Sequence, residues 1–124
     1  MFTIANVFVL LIGLLHFYFL VLEMFLWTKP KGLKAFSMTS QQAEATKVLA
    51  ANQGLYNGFL AAGLVWGLLH PSMLMGLQIK IFFLSCILLA GLYGAYSVCK
   101  KILFIQALPA AVALLILGVS SFVF

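Results

Sequence analysis

Apolar residues fill four stretches of this chain almost without a break, and polar residues collect between them. The runs extend from about Phe2 to Trp27, Val48 to Leu69, Gly76 to Val98 and Ile102 to Phe124. A helix needs about 20 mostly apolar residues to cross the hydrocarbon core of a bilayer. Each run meets that length. The predicted fold is therefore all-α, an integral-membrane four-helix bundle forming one domain over residues 1–124. Its helices are expected at about 2–27, 40–69, 76–98 and 102–124, with a loop over about 28–39.

Local signals place the ends of these helices. Thr28-Lys29-Pro30-Lys31-Gly32 closes the first run, and His70-Pro71 stops the second. Thr39 followed by Gln42 has the spacing of a capping box, so the second helix should start near Ser40. At about 30 residues it would be roughly 45 Å long, more than the bilayer core requires. Its first turns, Gln41 to Lys47, should stand in the cytoplasm. The first run lacks a basic leader and a small-residue cleavage site, is about twice the length of a signal core, and is interrupted by His16 and Glu23. It reads as a retained helix.

Composition sharpens this picture. Hydrophobic residues make up 65% of the chain and charged residues 7%, at a mean hydropathy of +1.20. Soluble domains carry about 25% charged residues, so a dissolved monomer is excluded. Every basic residue is a lysine. Lys29, Lys31, Lys34 and Lys47 lie in the first connection and Lys100 and Lys101 in the third, against Lys80 alone near the second. Lysine bias sets orientation, which puts the first and third connections in the cytoplasm and both termini outside. Lysines that flank apolar runs are topology signals, and nucleic acid is not an expected partner. Membrane lipid is.

Other chemistry is narrowed by what the residues lack. Cys86 and Cys99 share one helix and lie about 20 Å apart along it, beyond disulfide reach. Neither a phosphate-binding loop nor a dinucleotide fingerprint is present, and no His/Cys cluster has metal-ligand spacing. Cofactor and metal are both expected to be none. The serines have no base at the spacing of a nucleophilic motif.

Polar groups inside a membrane are costly, so their depth carries information. Glu23 sits about six residues inside Lys29, Asn52 and Gln53 about as far inside Lys47, and Gln106 five residues inside Lys101. Tyr93 and Tyr96 come shortly before Lys100, Asn57 lies one turn deeper than Gln53, and His16 is near the midplane. His16 and Glu23 are seven residues apart, two turns along one face. Asn52, Gln53, Tyr56 and Asn57 fall within an arc of about 140° at 100° per residue. A carboxylate facing lipid would cost about 2.5 kcal/mol or more, so Glu23 should turn inward, be protonated or find a partner. The candidate ligand-binding set is His16, Glu23, Asn52, Gln53, Tyr56, Asn57, Tyr93 and Gln106. The plainer reading makes the same groups interhelical glue at about 0.6 kcal/mol per bond. Gly54/Gly58, Gly63/Gly67 and Gly91/Ala95 have the small-xxx-small spacing of close helix packing. Pro109 should kink the last helix by freeing the carbonyl of Ile105, and Lys80 should snorkel outward.

Two blocks carry a family resemblance. His16-Phe-Tyr-Phe-Leu-Val-Leu-Glu23-Met-Phe-Leu-Trp27 and Lys47-Val-Leu-Ala-Ala-Asn52-Gln53-Gly54-Leu-Tyr56-Asn57-Gly58 are similar to the bacterial membrane family known as domain of unknown function 1304. Ala90-Gly91-Leu-Tyr93-Gly94-Ala95 and Lys101-Ile-Leu-Phe-Ile-Gln106-Ala-Leu-Pro109 resemble its second half. The resemblance implies four membrane helices in a bacterial cytoplasmic membrane and no defined activity. Its signature polar positions coincide with those singled out by depth.

The residues favour a protein that binds or transports a small molecule or lipid in a polar pocket opening toward the cytoplasm, with Glu23 responding to protons or cations. Four such helices make a thin bundle, so a homodimer is expected. Two other readings stay open: an intramembrane enzyme using Glu23 and His16 for acid–base work on a lipid-like substrate, and a structural or accessory subunit.

Overall fold

The computed structural model describes residues 3–122. The helix ends expected at Phe2 and Phe124 lie outside them. Within that span every regular element is helical. They are α1 (Ile4–Met24), α2 (Pro30–Ala35), α3 (Ser40–Leu69), α4 (Met73–Ser97), and a π-helical turn (Leu103–Ala107) that runs straight into α5 (Leu108–Phe122). Among the described residues three helices are long and apolar enough to cross a membrane: Ile4–Met24, Met73–Ser97 and Leu103–Phe122. At 30 residues α3 is the longest, but its polar residues hold its hydropathy lower.

The chain packs as two compact units. One comprises Leu14–Ala61; the other takes the residues up to Gly13 together with those from Ala62 onward.

In the Leu14–Ala61 unit, α1 meets α3 through glycines. A Cβ added at Gly54 would lie 2.7 Å from Met24 Cγ, 3.0 Å from Glu23 Cβ and 3.3 Å from the Leu20 carbonyl oxygen. One turn on, a Cβ at Gly58 would meet Leu20 Cδ1 at 2.5 Å. The Gly54-xxx-Gly58 spacing thus gives α1 a smooth track on α3. The start of α3 is closed by its capping box: Thr39 N–H donates to Gln42 Oε1 at 3.0 Å, and Gln42 N–H to Thr39 Oγ1 at 3.1 Å.

Between α1 and α3 the chain turns through α2. Pro30 occupies its first turn, where the missing N–H costs nothing. Beyond its last residue, Ser37 takes a positive φ of 51°, and Met38 N–H reaches back to the Leu33 carbonyl at 2.9 Å. That is a left-handed helix stop. Trp27 fastens the turn from above, stacking on Phe36 at 4.8 Å and donating its indole N–H to Thr46 Oγ1 at 3.1 Å. Gly32 is buried beneath it, and a Cβ there would collide with the Leu26 carbonyl oxygen and come within 2.9 Å of Trp27 Cα. Both are backbone atoms. Gly32→Ala should lower the melting temperature by several degrees through about 2 kcal/mol of overpacking, while Gly118→Ala, which meets nothing within 4 Å, leaves it unchanged in the same thermal scan.

In the other unit, α3 and α4 form a hairpin around His70-Pro71-Ser72. Ser72 N–H donates to His70 Nδ1 at 3.1 Å, and Ser72 Oγ caps Met75 N–H at 3.4 Å. The helices cross closely there, since a Cβ on Gly76 would lie 2.6 Å from the Gly67 carbonyl oxygen. Lys80, expected to snorkel outward, donates to Asn6 Oδ1 at 2.7 Å, a bond between residues 74 apart in sequence. Pro109 cannot donate to the Ile105 carbonyl, and the backbone just before it widens into the π turn, with Leu108 N–H bonding Leu103 O.

Candidate functional site

The Gly54/Gly58 track determines what lies beside Glu23. With α1 held that close, Glu23 near its end faces α3, and Asn57 donates its Nδ2 to Glu23 Oε1 at 2.7 Å. Glu23 is 2% exposed and Asn57 8%. Gln53, one turn earlier on α3, approaches the same carboxylate. Among the described residues the second oxygen, Oε2, is buried and has no hydrogen-bond partner. A buried oxygen left in that state costs about 1–3 kcal/mol. Such an exception in an otherwise satisfied interior invites a chemical explanation.

Glu23 also forms part of the wall of a groove of about 440 Å³. The rest of the wall comes from the end of α1, the segment just after it, and the third to fifth turns of α3. Phe25, Val48 and Leu55 make it apolar, and Thr28, Lys47 and Asn52 supply polar groups. Lys47 is ion-paired with exposed Glu44 one turn earlier, a contact worth little in water and easily exchanged. Every lining residue belongs to the Leu14–Ala61 unit. The arrangement can take up an amphipathic molecule: an apolar body along Phe25, Val48 and Leu55, with a polar end among Lys47, Thr28 and Asn52.

The polar residues picked out by depth take different positions. Glu23 and Asn57 are joined, with Gln53 beside them. Asn52 lines the groove while its Nδ2 donates to the Val48 carbonyl at 3.0 Å. Tyr56 is exposed on α3 and rests near Phe59, the rings 6.2 Å apart. His16 is fully buried on α1, edge-on to Phe19 at 5.5 Å. Two turns, about 10 Å along the axis, separate it from Glu23. Tyr93 and Gln106 belong to the other unit, Tyr93 exposed on α4 and Gln106 half-buried within the π turn.

Of the residues lining this groove only Glu23 and Asn52 belong to the candidate set; the others, Thr28, Phe25 and Leu55 among them, escape a reading based on polar depth. Phe25 and Leu55 look like any lipid-facing residue, and Thr28 like part of a loop. The one available signal was Trp27, an indole whose N–H needs a partner, which is found in Thr46.

Residues 10–118 match the family described as "Protein of unknown function (DUF1304)". The chain is also 34% identical over 108 residues to the uncharacterized protein YpaA of Lactococcus lactis subsp. lactis (strain IL1403), covering 86% of this chain and 89% of that one. No solved structure matches it. With nearly its whole length matched, the chain belongs to the DUF1304 family.

Proposed function

We propose that this is an integral protein of the bacterial cytoplasmic membrane in which α1, α3, α4 and α5 all cross the bilayer and both termini lie outside. It binds or transports a small molecule or lipid in the groove beside Glu23, near the cytoplasmic surface. Six lysines in the first and third connections against one in the second support that orientation. The polar first turns of α3 then extend into the cytoplasm, and the stretch up to Leu69 crosses the hydrocarbon. The observation that carries the binding reading is the buried carboxylate with one oxygen unpartnered, set in the wall of a groove. Because that oxygen is shut off from the groove in this structure, a ligand bearing an ammonium group or another hydrogen-bond donor would complete it by drawing the Glu23 side chain into the groove.

A second reading is favoured by the Asn57–Glu23 bond itself. A buried bond between α1 and α3 can lock two helices together without any ligand. Acid–base catalysis by Glu23 with His16 has less support, because two helical turns separate the two groups.

Native mass spectrometry of protein gently extracted from its own membrane tests the binding reading, comparing wild type with Glu23→Gln. A defined extra mass on the wild type that the variant loses is the expected result. A bare protein in both, with equal stability, would transfer the weight to the lock.

A further inference from the structure

The outward face of α3 carries an ordered stripe. Leu49, Asn52, Tyr56 and Phe59 follow one another at steps of three, four and three residues, the spacing of a helix–helix seam. All four are exposed, Leu49 at 73%, Tyr56 at 60% and Phe59 at 57%. All four lie in the Leu14–Ala61 unit. Counting back about 20 residues from Leu69 reaches Ala50, so the stripe from Asn52 onward falls in hydrocarbon. That depth rests on the reading of α3 as a membrane helix.

Lipid tails cannot satisfy this face. Asn52 gives one N–H to the Val48 carbonyl, and among the described residues its amide oxygen accepts no bond. The Tyr56 hydroxyl lies one turn along the same stripe. An amide is both donor and acceptor, so it complements another copy of itself. The lysine bias gives every copy the same orientation, which makes two α3 helices in one membrane parallel. A twofold axis along the membrane normal then sets Asn52 against Asn52, and Tyr56 against Tyr56, at equal depth. A polar residue at one seam position fixes register in this way.

We propose that a second copy of this chain packs along the Leu49–Asn52–Tyr56–Phe59 stripe of α3, parallel to the first and held in register by the paired Asn52 amides. The contact borders the groove, because Asn52 belongs to both.

Cysteine cross-linking in native membranes tests this. Cys86 and Cys99 are first replaced by serine, and single cysteines are placed at Leu49, Asn52, Tyr56, Phe59 and Val65. Val65 is 41% exposed and lies half a turn of the helix away from Tyr56. Oxidation should give a species of twice the chain mass at the four seam positions, where paired Cα atoms come within about 7 Å. Val65→Cys should give little. Asn52→Leu should lower dimer formation about threefold or more, and Asn52→Gln should largely restore it. Equal yields at all five positions, no doubled mass, or an adduct of another mass would each overturn the proposal. Labelling of Phe59→Cys by a membrane-impermeant maleimide would overturn it through the membrane reading. Repeating the series with Glu23→Gln keeps the seam separate from the groove: cross-links that survive there support the dimer whether or not a ligand mass is seen.

Discussion

Gly91→Ala is expected to destabilise the protein severely, by about 3 kcal/mol, a fall of roughly 10 °C in melting temperature. The added Cβ would lie 2.6 Å from Ala107 N, 2.8 Å from Ala107 Cβ and 2.9 Å from Ala107 Cα. Two of those atoms are backbone, and they belong to the π turn, whose path Pro109 restricts just downstream. No rotamer change relieves such a contact, so α4 and the π turn must separate. A second substitution, Ala107→Gly, removes only the Cβ clash and should recover part of the loss. Gly118→Ala is the control at an open position. Thermal unfolding in a mild detergent, followed by helical signal and by aggregation, reads all three. A Gly91→Ala protein that melts with the wild type would show that α4 and the π turn do not approach this closely.

The pair Gly91/Ala95 was legible as a close-packing spacing, but its partner was not. The partner exists because Pro109 denies Ile105 its donor and the backbone before it takes up the extra residue as a π turn. The proline predicted a kink in the last helix; that the backbone before it widens into a π turn is not legible in the sequence. The capping box of Thr39 and Gln42 was legible because both partners lie within one turn. The six-residue α2 was not, since it is too short to show a period and is held by its Gly32 packing against Leu26 and Trp27 outside it. Depth and cost singled out Glu23, Asn57 and Gln53. The 140° arc could not separate Asn57, which faces α1, from Asn52 and Tyr56, which face out. Only the Gly54/Gly58 track resolves that, by fixing which side of α3 receives α1.

Removing the Asn57 amide should cost more stability than neutralising Glu23. Asn57→Leu keeps most of the volume but removes the 2.7 Å donor to Glu23 Oε1, leaving the buried carboxylate only its approach to Gln53. The expected loss is about 2–3 kcal/mol. Glu23→Gln keeps a carbonyl oxygen that accepts from Asn57 Nδ2, so its stability should stay within about 0.5–1 kcal/mol of wild type. Replacing both by leucine removes the unsatisfied groups together and should recover most of the Asn57→Leu loss. With Glu23→Leu added, wild type, the two single leucine variants and the double variant form a thermodynamic cycle whose coupling energy measures the Glu23–Asn57 bond. The same set separates the two functional readings. If the bond is only a lock, the double leucine variant should keep whatever phenotype can be measured, because the helices remain joined by packing. If Glu23 holds a ligand, Glu23→Gln should lose the bound mass while melting like wild type, and the double variant should lose it too. Loss of binding without loss of stability is the result a structural carboxylate cannot give.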